Sequence, residues 1–160
     1  MPVDQRDKEW FCSNIERHKL SFFRYARSIL KNDEDAKDAV SEAVVAAYSK
    51  IDTLRDPERF KPWLMRIVTN EAYTMLRERA RLAVSARDEP VDDRATIKSD
   101  NRLTLWPAVG RLSDELRAVV VLFYYEDMSI KEISAVTGIT QSAVKTRLSR
   151  ARQKLKLLLS

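Results

Sequence analysis

A chain of 160 residues, 44% hydrophobic and 33% charged, is long enough for one ordinary domain or two small ones. Two glycines and five prolines argue against a β-rich or disordered chain, and a single cysteine, Cys12, excludes an intramolecular disulfide. The net charge of +5 points weakly to an anionic partner.

Enzyme signatures are missing. There is no glycine-rich phosphate loop, no cysteine–histidine cluster for zinc, and only one histidine, His18. The expectation is a protein that is not an enzyme and holds no metal or cofactor. No apolar run approaches membrane-spanning length and no secretory signal opens the chain, so a cytoplasmic protein that is not itself membrane-inserted is expected.

Residues 7–32 read as a helix, with room for a break near His18. Phe22, Phe23, Ala26, Ile29 and Leu30 supply its core side. Asp33 is the expected cap of a second helix reaching Lys50, with Ala36, Val40, Ala43, Val44, Ala47 and Ile51 as its buried stripe. On the far side Asp35, Asp38 and Glu42 share one face at i, i+3, i+7, and Val45 lies beside them. Carboxylates around an exposed valine suit a protein contact better than plain solvation.

Asp56-Pro57 breaks the chain, giving a loop from about Leu54 to Lys61, and Pro62 suits the first turn of a third helix. That helix places Trp63, Arg66, Asn70, Tyr73, Thr74 and Arg77 on one side, and Leu64, Val68, Ala72 and Met75 on the other. An aromatic, a guanidinium and an amide on one face can stack on bases, hold phosphates and read base edges. Core packing of Trp63 and Tyr73 is the competing reading.

Residues 84–102 are polar, mixed in charge and without clear hydrophobic period, as in a linker between units 1–83 and 103–160. A short helix is expected near Leu105–Pro107, another from Ser113, and the apolar run Ala118–Tyr125 can cover the helical hairpin after it. Ser129 and Glu132 form a capping box signature, Gly138 supplies a left-handed turn, and Thr140 can cap the last helix. Val144, Leu148, Ala151, Leu155 and Leu158 make that helix's core face. Opposite them lie Ser142, Thr146, Ser149 and Gln153, flanked by Lys145 and Arg150. Short hydrogen-bonding groups between long cations suit a major groove, where the centre reaches base edges and the shoulders reach phosphates. A solvated basic face is the alternative; the short turn and the capped second helix favour a helix-turn-helix. The fold class is therefore all-α, two small helical domains on a flexible linker.

Three segments carry a family resemblance in order: YARSILKNDEDAKDAVSEAVVAAYSKID, RFKPWLMRIVTNEAYTMLR and LSDELRAVVVLFYYEDMSIKEISAVTGITQSAVKTRLSRARQKL. Together they resemble a bacterial RNA polymerase sigma factor of the extracytoplasmic-function class. The resemblance implies promoter-directed transcription initiation with core RNA polymerase. It implies polymerase contact through Asp35, Asp38, Glu42 and Val45. The loop around Leu54, Arg55, Asp56, Phe60 and Lys61 would receive a flipped base of the minus-ten element. Arg66 and Asn70 would contact that element, within the face that Trp63, Tyr73 and Arg77 complete. The last helix, from Thr140 through Gln153, would enter the minus-thirty-five element. An anti-sigma factor, often membrane-bound in this class, is the implied inhibitor. Ser41, Ala46 and Ser113 depart from residues frequent in the family. A stand-alone helix-turn-helix regulator would leave the acidic stripe and the Trp63 face without a role; a protein-binding adapter, its basic helix serving an acidic partner, is the other alternative, and promoter-specific RNA synthesis with core polymerase separates all three.

Overall fold

The structure, a computed structural model, describes residues 8–86 and 104–160. Among them there is no strand, and helices follow one another throughout. Helices α1 (Lys8–Leu30), α2 (Asp33–Ser49) and α3 (Phe60–Ala86) pack pairwise into the N-terminal half. Helices α4 (Leu105–Gly110), α5 (Asp114–Val120), α6 (Ile130–Thr137) and α7 (Gln141–Leu159) form the C-terminal half.

Helix α1 runs through His18 without a break. The His18 ring leans on Phe22 and Phe60, and burial, helped by Lys61, lowers its pKa. Lys31 ends the helix in a left-handed conformation (φ 67°). The cap of α2 is Asn32 rather than the expected Asp33. Asn32 has the extended backbone a cap requires (φ −141°, ψ 154°), and its side chain accepts from the Asp35 N–H at 2.8 Å. Asp33 is already helical and instead takes a hydrogen bond from Arg27 Nε at 2.9 Å. Ala36, Ala39, Ala43 and Ala47 are fully buried along α2. Side chains that small let α2 approach α1 and α3 closely.

Helix α3 begins at Phe60, two residues before the expected start, and reaches Ala86. The first residues of the expected linker, Val84 to Ala86, therefore continue a helix; residues 87–102 of it lie outside the described residues.

In the C-terminal half, α5 passes into one π-helical turn, Val121–Tyr125, in which Glu126 N–H reaches Val121 C=O at 3.1 Å. Val120 and Val121 pack with Val109, Leu112, Ala151 and Leu155, tying α4 to α7. Leu122, Met128, Ile133, Val136 and Leu148 instead join a core continuous with Phe22, Leu64 and Val68 of the N-terminal half. The halves thus lie in contact, α1 against α5 and α3 against α6.

Candidate protein and nucleic-acid interfaces

On α2 the expected stripe divides. Asp38 and Glu42 are exposed and make no hydrogen bond or ion pair among the described residues, and Val45 is 69% exposed. Asp35 belongs elsewhere. Its side chain is only 10% exposed, accepts from the Asn32 amide at 2.5 Å and pairs with Arg79. Position i of the stripe sits in the first turn, where α3 passes alongside, so Asp35 faces α3. The outward stripe is Asp38, Glu42, Val45 and, missed from the sequence, Tyr48, half exposed at three residues past Val45. Its helical spacing was the available signal; its ring edge rests on Phe11 at 5.2 Å.

The segment between α2 and α3 is built of two 3₁₀ turns, Ile51–Thr53 and Pro57–Arg59. Asp56 caps the second by accepting from the Glu58 N–H at 3.0 Å, with Pro57 fixing its first position. Leu54 and Phe60 are buried core residues, not groups offered to a base. Phe60 lies edge-on to Trp10 at 5.4 Å and Phe11 at 5.8 Å. They anchor the segment's two ends, and an apolar side chain with a core available gains more there than at the surface. Between the anchors Arg55 and Asp56 are exposed. Arg55, Asp56, Trp63 and Arg66 line a cleft of about 420 Å³, which Lys131 and Ala135 of α6 complete from the other half.

On α3 the expected sides hold. Leu64, Val68 and Ala72 are fully buried, while Arg66, Asn70, Thr74 and Arg77 are exposed. Trp63 and Tyr73 are half-buried at the margin, and burial raises the Tyr73 pKa. The Thr74 hydroxyl donates to Asn70 C=O at 2.8 Å and accepts from Arg77 Nη2 at 3.1 Å, which steers that guanidinium along the helix. Arg66 lies over the C-terminal end of α6, its Nη1 3.5 Å from Val136 C=O. Lys61 Nζ is 3.2 Å from a Glu126 carboxylate oxygen.

The last two helices have the expected capping. Ser129 and Glu132 make the reciprocal capping box, and Gly138 turns at φ 80°. The Ser134 hydroxyl donates to Ile139 C=O at 2.6 Å across that turn, and Thr140 accepts from the Ala143 N–H at 3.1 Å. Thr140 therefore serves as cap at the tip of α7. Val144, Leu148, Ala151 and Leu155 are buried. Ser142, Lys145, Thr146, Ser149, Arg150 and Gln153 are all exposed on the other side. Two more α7 cations serve structure: Arg152 Nε donates to Tyr124 Oη at 2.7 Å, and half-buried Arg147 faces Glu115 at 3.9 Å.

Among the described residues, no group of three histidine, cysteine or acidic side chains could hold a metal ion, and no helix is long and apolar enough to cross a membrane.

Comparison with known proteins matches the two halves separately. The family model for Sigma-70 region 2 matches residues 15–82, and that for Sigma-70, region 4 matches residues 102–155. The chain is 32% identical over 162 residues to the RNA polymerase sigma factor SigV of Bacillus subtilis (strain 168), covering 100% of this chain and 97% of that one. It is 33% identical over 156 residues to the ECF RNA polymerase sigma factor SigM of Mycobacterium tuberculosis (strain Erdman), covering 96% and 79%. Among solved structures it is similar to CnrH in complex with the cytosolic domain of CnrY, at 31% identity and a TM-score of 0.66, over 96% of this chain and 89% of that one.

Proposed function

We propose a division of labour within this chain, which belongs to the sigma-70 family of RNA polymerase sigma factors and to its extracytoplasmic-function class. As a sigma factor it binds core RNA polymerase and directs it to promoters. The bond-forming chemistry is the polymerase's, and the chain works where the polymerase does, in the cytoplasm.

The N-terminal half docks on the polymerase through Asp38, Glu42 and Val45, with Tyr48 extending the stripe. Acidic groups around an apolar centre fit a basic partner that also desolvates the valine. The same half handles the minus-ten element. Arg55, Asp56, Trp63 and Arg66 line the cleft that would take an extruded base, and Lys61, which faces Glu126, would contact the same element from outside it. Asn70, Tyr73 and Arg77 continue the track along α3. Extruding a base costs a few kcal/mol of stacking, which such contacts offset. The C-terminal half places α7 in the minus-thirty-five major groove. Ser142, Thr146, Ser149 and Gln153 face base edges; Lys145 and Arg150 face phosphates, and Thr140 brings the helix tip to the backbone. An anti-sigma partner fits the same picture, since the similar CnrH was solved with a cytosolic domain bound.

The observation that carries this reading is the two-sided build of α7: one face buried, the opposite one wholly exposed with short polar groups between cations. Purified core polymerase supplied with this chain and fragments of the source genome should start transcripts at defined sites. Lys145→Ala with Arg150→Ala should reduce initiation at all of them and flatten the salt dependence of duplex binding, each lost phosphate contact lowering the slope by about 0.9. Ser149→Ala or Gln153→Ala should instead change which sites are used. Unchanged site choice together with uniform loss in all three variants would refute the assignment.

A further inference from the structure

Helix α4 carries side chains that the promoter reading does not use. Leu105 and Trp106 are half exposed, although Ala108 and Val109 of the same short helix are buried. An indole left in water forgoes more apolar burial than almost any other side chain. The Trp106 ring is nevertheless held in place. Tyr125 meets it edge-on, with ring centres 5.0 Å apart, and the Arg24 guanidinium covers Tyr125 at 5.9 Å. Arg24 is itself fixed, its Nη1 donating to the buried Glu126 carboxylate at 2.8 Å.

Trp106 forms one wall of a cavity of about 520 Å³. Phe23 of α1 and Val109 of α4 continue the apolar lining. The rest of the wall is cationic: Arg27 near the end of α1, Lys31 just after it, and Arg117 of α5. Carboxylates set each cation in position. Arg27 Nε donates to Asp33 at 2.9 Å, Lys31 Nζ is 3.4 Å from Asp114, and Arg117 also pairs with Asp114. Three cations thus share two carboxylates, which leaves this wall one positive charge in excess.

Arg117 is only 6% exposed. Its Nε donates to Ser28 C=O at 2.6 Å, and its Nη1 to Leu112 C=O at 2.8 Å and, more weakly, to Gly110 C=O at 3.4 Å. Its Nη2 donates to Asp114. A guanidinium has five N–H groups. Four are used, and the fifth, on Nη2, has no acceptor among the described residues. A buried donor of a charged group is costly to leave unmatched, so one that borders a cavity favours an acceptor inside it.

The cavity has the size and make-up of a small-molecule site: concave, at the junction of two units, with apolar walls and a few convergent polar groups. Rings on one side suit a flat apolar body, and the excess positive charge on the other suits an anion.

We propose that this cavity binds a planar aromatic anion, its ring against Trp106 and Phe23 and its carboxylate or phosphate on Arg27, Lys31 and Arg117. Nucleotides and aryl carboxylates share that chemistry. None of these residues is assigned above to promoter or polymerase, so the site does not rest on those readings.

Isothermal titration of the full chain with naphthyl phosphate tests the site, with naphthol and inorganic phosphate as the two parts of the probe. Naphthyl phosphate should bind at least tenfold tighter than either part, and at saturation it should raise Tm. Trp106→Leu and Arg27→Gln change half-exposed side chains; each should weaken binding at least fivefold, with helix content by circular dichroism as in the parent. Lys31→Gln replaces either variant should it fold poorly. GMP and naphthoate then distinguish the sources: tighter binding of GMP marks a nucleotide site, tighter binding of naphthoate a site for an organic acid, and both uphold the proposal. Naphthol or inorganic phosphate binding as tightly as naphthyl phosphate overturns it. So does binding unchanged in the variants, or no binding of naphthyl phosphate at about 1 mM.

Discussion

Charge changes on α2 should separate folding from docking. Asp35 accepts a 2.5 Å hydrogen bond from Asn32 and pairs with Arg79, whose side chain is half exposed. A hydrogen bond to a charged group contributes about 1.5–3 kcal/mol, while an ion pair with one arm in solvent contributes well under 1 kcal/mol. Asp35→Ala should therefore cost about 2 kcal/mol, and at ~2–4 °C per kcal/mol for a chain of this size lower Tm by roughly 4–8 °C. Its affinity for core polymerase, measured below that transition, should be close to the parent's. Asp38 and Glu42 are exposed and unpaired among the described residues. Asp38→Lys with Glu42→Lys should change stability by about 0.5 kcal/mol or less. Against a basic, desolvated partner surface each reversal turns attraction into repulsion, so the pair should weaken core binding by at least about 100-fold, or roughly 2.7 kcal/mol. Thermal unfolding followed by circular dichroism gives the first quantity, and titration of labelled chain with core enzyme the second. Full core affinity in the folded double variant would refute the docking stripe. A loss of affinity in folded Asp35→Ala as large as in the double variant would refute the division between inward and outward carboxylates.

Stability should fall at both ends of the pH scale, for different reasons. Burial lifts the Tyr25 pKa far above its ordinary 10.0, so the unfolded chain loses that proton first and stability is lost as pH rises past about 10, by at most about 1.4 kcal/mol per pH unit. Tyr25→Phe should flatten this alkaline arm in urea titrations, at a cost of about 1 kcal/mol for the hydrogen bond to Thr69 (2.7 Å). His18 is shifted down, chiefly by burial, so its contribution is present above 6.5 and lost as pH falls; an alkaline slope unchanged in Tyr25→Phe would contradict the first assignment. At the turn between α6 and α7, Ser129→Ala should cost about 1 kcal/mol by removing the capping box. Gly138→Ala should cost about 1–3 kcal/mol, because φ 80° strains any residue with a Cβ and Arg66 stands in the way. Equal stability of Gly138→Ala and the parent in chemical denaturation would rule out that strain.

The helices themselves were legible because their causes are local. Helical spacing picked out Ala36, Ala43 and Ala47 of α2, though not the equally buried Ala39, and the two faces of α3 and α7. The Ser129 box, Gly138 and Thr140 each act within four residues of chain, so the helix-turn-helix was written into one segment. Where two neighbouring residues could do one job, Asn32 and Asp33, sequence alone chose the wrong cap, since only the backbone angles decide. Burial of a particular side chain is a property of its neighbours. Asp35 shares a helical face with Asp38 and Glu42, yet α3 passes only the first of them. Leu54 and Phe60 flank an exposed loop, yet a core within reach takes them in. The Glu126 contacts join residues 102 positions apart in sequence. No period or spacing relates Glu126 to Arg24 and Lys61; they meet only because the tertiary packing brings three helical segments to one point, and there a buried carboxylate must be matched by whatever cations the fold delivers.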